Sequence, residues 1–210
     1  MRPSRVQLVD LGLDWSFDHS MAFAQSLIQS INVDWENPAA EVQFIRTRDL
    51  DTVAAALAAD SDITHVMAHS MKEEDGEVAF VSEDGETQMG LADLARRLHD
   101  RRSPLASRAL FADCCDSAGR AFQRAVRDTI GQPVLYLAAK GPIYWHDSTT
   151  FGSAFYAAYF RRKGKGIDQL TRAEDAAKRA AASYRQLLER PSPYTYVTLT
   201  PSRQATKAFG

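Results

Sequence analysis

The sequence predicts an α/β fold: a mostly parallel sheet of about six strands with helices on both faces. Three observations predict it. Short apolar runs recur along the chain, as at Val6–Leu11, Ile63–Ala68 and Val134–Ala139, without the polar alternation of a half-exposed sheet. Between them lie segments whose apolar residues repeat at helical spacing. Gly, Pro and Asp punctuate the joins.

The elements follow in order. Val6–Leu11 is a buried strand that stops at Gly12. Phe23, Leu27 and Ile31 share a face and predict a helix over Met21–Ile31. Val42, Phe44 and Ile45 mark a second strand, Glu41–Thr47. Thr52–Ala59 is a helix for which Asp49 or Asp51 can serve as cap. Ile63–Ala68 is a third strand. Val78–Val81 and Thr87–Met89 flank Asp84-Gly85 and predict a small hairpin. Leu91, Leu94 and Leu98 place Leu91–Arg101 in a helix. Ser107–Ala112 is a fourth strand, and Phe122, Val126 and Ile130 define a helix over Ser117–Ile130. Val134–Ala139, bounded by Pro133 and Gly141-Pro142, is a fifth. Thr149–Arg162 and Asp168–Arg190 are helices joined by the Lys163-Gly164-Lys165-Gly166 loop, and Tyr194–Thr200 is the last strand. There is no internal repeat and no linker, so residues 1–210 are expected to form a single domain.

Composition excludes several function classes. With 45% hydrophobic and 25% charged residues, the chain has the makings of a packed core and not of a disordered tail. A net charge of −2 offers no electrostatic attraction to nucleic acid or an anionic membrane. The N-terminal apolar run is too short for a signal peptide and is cut by Asp10 and Asp14. The two cysteines, Cys114 and Cys115, are neighbours and cannot staple distant segments. These features predict a cytoplasmic protein that needs no membrane and no nucleic acid. No Cys and His spacing suits structural zinc, and no cofactor is expected.

The chemistry concentrates in two stretches. Thr64-His65-Val66-Met67-Ala68-His69-Ser70 and Leu110-Phe111-Ala112-Asp113-Cys114-Cys115-Asp116-Ser117 are both apolar runs that stop at a reactive side chain. In a doubly wound sheet such strand ends share one edge. His69 and Cys115 there would form a thiol nucleophile and its base. Cys115 would also feel the dipole of a helix starting near Ser117. Cys114 continues the strand and suits the core, and His65 suits a hydrogen-bonded structural role. His19, His99 and His146 fall at helix ends or in a loop and are expected to be solvated.

The paired-histidine strand resembles that of CHAT-type, caspase-like peptidases. Asp113-Cys114-Cys115-Asp116-Ser117 resembles the Asp-x-Cys-x-Ser motif of metacaspases and their CHAT and separase relatives. The resemblance extends over nearly the whole chain, including the Phe151–Phe160 helix and the alanine-rich helix around Ala173–Ala182. It implies a caspase-like three-layer sandwich and a cysteine endopeptidase. In that frame His69 is the base, Cys115 the nucleophile, and the backbone N–H groups of Ser70 and Cys115 form the oxyanion hole. Relatives usually carry glycine where this chain has Ser70; a backbone needing positive φ there would strain a serine. Asp113 would line the pocket for the residue before the cut and favour Arg or Lys, with Asp10 or Asp14 adding charge. Trp145 would contribute to a substrate wall.

The residues alone leave other readings open. Asp113 or Asp116 could instead cap the following helix. The chain could be a catalytically degenerate binding module, or a cysteine amidohydrolase of small substrates. The peptidase reading implies a protein or peptide substrate, a separate regulatory or sensor protein, and, by resemblance only, a bacterial stress or defence pathway.

Overall fold

A computed structural model of the chain describes residues 3–11, 17–31, 40–72, 77–82, 88–161 and 167–209. Its frame is a six-stranded sheet of β1 (Ser4–Asp10), β2 (Ala40–Arg46), β3 (Ile63–Met67), β7 (Ala109–Asp113), β8 (Val134–Ala139) and β9 (Tyr194–Leu199). The spatial order is β2-β1-β3-β7-β8-β9, parallel throughout except for β9, which runs antiparallel to β8.

The apolar runs are continuous because both sheet faces are covered. On β7, Ala109 and Phe111 face one core while Leu110 and Ala112 face the other. On β8, Leu135 and Leu137 alternate with Val134 and Tyr136 in the same way. One face carries α1 (Phe17–Ser30), α5 (Trp145–Arg161) and α6 (Gln169–Leu188), with Met21, Ile28, Phe155 and Ala177 in its core. The other carries α2 (Leu50–Ala58), α3 (Leu91–Asp100) and α4 (Arg120–Thr129), with Leu57, Leu98 and Phe122 buried. The six-stranded, mostly parallel three-layer sandwich is therefore as expected.

Several local expectations change. The α2 cap is Asp49, whose carboxylate accepts from Thr52 N at 2.8 Å. The hairpin forms as β5 (Val78–Val81) and β6 (Gln88–Gly90), but a further strand, β4 (His69–Lys72), joins it to make a three-stranded antiparallel sheet. Its Asp84-Gly85 turn lies outside the described residues. Phe80 of β5 packs against Phe122 of α4, with ring centroids 6.1 Å apart, and seats this small sheet on the helical layer. A short C-terminal helix, α7 (Arg203–Phe209), was not legible in the sequence; Phe209 meets the His99 ring edge-on at 5.0 Å.

Candidate active site

β3 and β7 end side by side, with Met67 in register with Asp113. Ala68 N donates to the Asp113 carbonyl at 3.4 Å, one step beyond the strand. The chain then leaves the large sheet, so His69 opens β4 and is not the last residue of β3. Cys115 lies in the turn that follows β7. Both side chains are half-buried, and both line one cleft of about 230 Å³ with Met67, Asp113, Ile143, Tyr144, Trp145 and Ser148.

The Cys115 turn is held from inside. Ser117 is fully buried; its hydroxyl lies 3.0 Å from the Ala112 carbonyl and 2.8 Å from that of Cys114, and accepts from Ala139 N at 2.9 Å. Tyr136 OH donates to the Ser117 carbonyl, and Ala118 N to the Ala139 carbonyl, each at 2.8 Å. The turn is thus bonded to the end of β8. Asp116 takes a left-handed conformation (φ 54°), which aspartate tolerates better than most residues.

These bonds explain why α4 begins at Arg120 and not near Ser117. Ser117 is committed to neighbouring strands and cannot start the helix. Gly119 occupies the cap position without a side-chain bond, so neither Asp113 nor Asp116 caps α4.

Cys114 and His65 occupy an inner level. Cys114 is 1% exposed, and burial pushes its thiol up to about 12, well into the unreactive range. His65 is buried, stacks on Phe111 at 4.2 Å, and uses both ring nitrogens: Nδ1 meets Tyr156 OH at 2.9 Å and Nε2 meets Asp113 at 3.2 Å. It has the structural role the sequence assigned to it.

Asp113 is 2% exposed and forms the acidic floor of the cleft. Besides His65, it accepts hydroxyl bonds from Ser148 and Tyr194. Burial, reinforced by the Asp113 charge, holds the Tyr194 hydroxyl well above its ordinary range, so it remains a neutral donor. Ser148 and Tyr194 were missed in the sequence, because nothing in their local pattern reveals a partner 35 or 81 residues away.

Ser70 carries no strained backbone. Among the described non-glycine residues only Arg102, Asp116 and Glu189 have positive φ, and Ser70 lies in extended β4 opposite Phe80. Its hydroxyl donates to the Cys115 carbonyl, bonding the histidine-bearing strand to the cysteine turn. Glycine could not make that bond.

The other expected residues separate. Trp145 does line the cleft, 41% exposed, as the first residue of α5 and not as part of a loop. Asp147 explains the earlier helix start. It is buried in the first turn, accepts from Tyr144 N at 3.1 Å, and binds Tyr184 OH and the Arg190 guanidinium. Asp10 is buried at the end of β1 with Arg46 Nε 3.4 Å away, and is not among the residues lining the cleft. Asp14 lies outside the described residues. His99 is not simply solvated: its Nε2 is 2.6 Å from the Asp128 carbonyl. His146 is exposed and meets Arg190 at 2.9 Å, and His19 is exposed.

A parallel sheet between two helical layers, with an antiparallel last strand and a small hairpin sheet beside the cysteine edge, is the caspase-like fold. Among solved structures the chain is similar to a secreted C11 cysteine protease from Bacteroides thetaiotaomicron, crystallised in complex with an irreversible peptide inhibitor. The TM-score is 0.54 at 12% identity, over 88% of this chain and 59% of that one. At this identity the likeness is one of fold, and it does not single out CHAT-type relatives. No protein-family model and no curated protein matches the sequence. Among the described residues, no helix is long and apolar enough to cross a membrane.

Proposed function

We propose that this chain is a cysteine endopeptidase of the CHAT-type, caspase-like kind, acting through His69 and Cys115. The observation that carries the reading is that both side chains line one cleft at the adjoining carboxyl ends of two central parallel strands. The fold's likeness to a protease crystallised with a peptide inhibitor supports it.

In this reading Cys115 Sγ gives up its proton to His69 and attacks the scissile carbonyl carbon. Backbone N–H groups of Ser70 and Cys115 receive the developing oxyanion. The intermediate collapses to a thioester as His69 passes the proton to the departing amine. Water then attacks the thioester, His69 takes the water's proton, and the acid product leaves with the thiol restored. No cofactor takes part.

Asp113 is the sole carboxylate among the described cleft-lining residues, which favours a basic side chain before the cut. Three donors already occupy Asp113, so space remains for about one more bond, enough for a lysine or one arm of an arginine. Ile143, Tyr144 and Trp145 would wall the aliphatic stem. The substrate is a protein or peptide, and a separate regulatory protein governs access. The setting is a cytoplasmic stress or defence pathway in a bacterium.

Peptides bearing a thiol-reactive warhead, with Arg, Leu or Asp before it, test the reading. Labelling should be lost in Cys115→Ala and His69→Ala and kept in Cys114→Ala. Equal labelling of both cysteines, indifferent to His69, overturns it. Preference for Asp over Arg overturns the role of Asp113 alone.

A further inference from the structure

We infer that a second groove, on the far side of His69 and Cys115, holds the substrate segment that follows the cut and selects acidic side chains there. The inference rests on the peptidase reading. This groove, of about 500 Å³, is bordered by Ser70 and Asp116, the residues immediately after His69 and Cys115. The cleft is lined by His69 and Cys115, and the groove by the residue that follows each. In this placement a peptide whose residue before the cut sits over Asp113 continues across Ser70 and Asp116 into the groove.

The two sides differ in charge. Lys72 at the end of β4, Arg120 at the start of α4 and Lys140 just after β8 all border the groove, and all are exposed. Three separate elements thus bring cations to one place. Asp116, also exposed, is the single carboxylate among the described residues that line it. None of the three cations has a carboxylate within ion-pairing distance among the described residues. The groove also offers apolar contact at Met71, which is 37% exposed. An extended chain with carboxylates after the cut complements this surface. The preferred substrate then changes sign across the scissile bond, basic before it and acidic after.

The test uses fluorogenic peptides with Arg before the cut and Asp-Glu, Ala-Ala or Lys-Lys after it. An Arg aminocoumarin amide, with no residue beyond the scissile bond, provides the reference. The readout is kcat/KM for each peptide divided by that for the coumarin amide. We expect Asp-Glu to exceed Lys-Lys by about tenfold, a few-fold per exposed charge pair, with the gap narrowing as salt is raised. Reversing the charges (K72E, R120E, K140E) should invert the order. Equal ratios for the three peptides, or an order that the reversals leave intact, overturn the inference while the peptidase reading stands. No turnover of the coumarin amide or of any peptide, with no labelling of Cys115, overturns both.

Discussion

The histidine–cysteine chemistry of this chain exists on two levels, and the levels behave differently. The inner level, His65 and Cys114, is 1% exposed at each residue, while the outer level, His69 and Cys115, is half-exposed at the cleft. The residue types are identical and the sequence separations are four and one. What differs is where the strands end. Inside the sheet, a histidine becomes a rivet between Tyr156 and Asp113, and a thiol holds its proton. Just outside it, the same groups are half-buried and line an open cleft. Burial, not residue type, assigns the roles.

The most severe way to break this comparison is to remove the outer pair. Cys115→Ala should lower kcat/KM by about 10⁴ or more, and His69→Ala by about 10²–10⁴, measured on the coumarin amide, with melting temperatures near that of the parent. Cys114→Ala should keep turnover. Comparable loss in Cys114→Ala and Cys115→Ala would erase the distinction between the levels.

Removing the inner histidine should act on stability first. His65→Ala leaves Tyr156 and Asp113 each short of a partner and opens space against Phe111, so we expect a loss of about 3 kcal/mol in urea unfolding. Ser117→Ala leaves the buried Ala139 N–H without its acceptor and should cost about 2 kcal/mol. Ser70→Ala, which removes one partly buried bond to the Cys115 carbonyl, should cost about 1 kcal/mol and weaken warhead labelling by a few-fold. Equal unfolding midpoints for Ser70→Ala and the parent would show that this bond does not hold the histidine-bearing strand to the cysteine turn.

The pH dependence sharpens the contrast further. Folded Cys114 keeps its proton to about 12, against an ordinary value of 9.0. Between those values the unfolded chain binds fewer protons, so the stability contribution, complete below 9.0, is lost as pH rises toward 12. Denaturant midpoints of Cys114→Ala should therefore fall less steeply across that window than those of the parent. Parallel slopes would show that the thiol titrates as freely in the folded protein as in the unfolded one.

The centre of the sheet was legible because β7 and β8 are buried on both faces and so read as runs of apolar residues. The rim was less so. β4 contains polar Ser70 and Lys72 and forms only because β5 is present to pair with it. The start of α5 hides behind Gly141-Pro142 and depends on Asp147, whose Arg190 partner is 43 residues away. The pair His69 and Cys115 could be picked out because each follows a strand end, a one-dimensional signal. Ser148 and Tyr194, which brace Asp113, carry no such signal, since only the folded chain brings them to it. Lys72, Arg120 and Lys140 are scattered in the same way and become a surface only in three dimensions.

One of those braces has a consequence for the order of events in the cell. Tyr194, at the start of β9, supplies a hydroxyl to the Asp113 floor and stacks on Phe151 at 4.5 Å. A ribosome delivers His69 and Cys115 long before it delivers that strand. The nascent chain thus carries both side chains while the Asp113 floor of the cleft still lacks one of its donors. The hydrogen bonding of the Asp113 floor is therefore complete only after Tyr194 has cleared the exit tunnel, so the cleft is finished by the last strand of the sheet to be made.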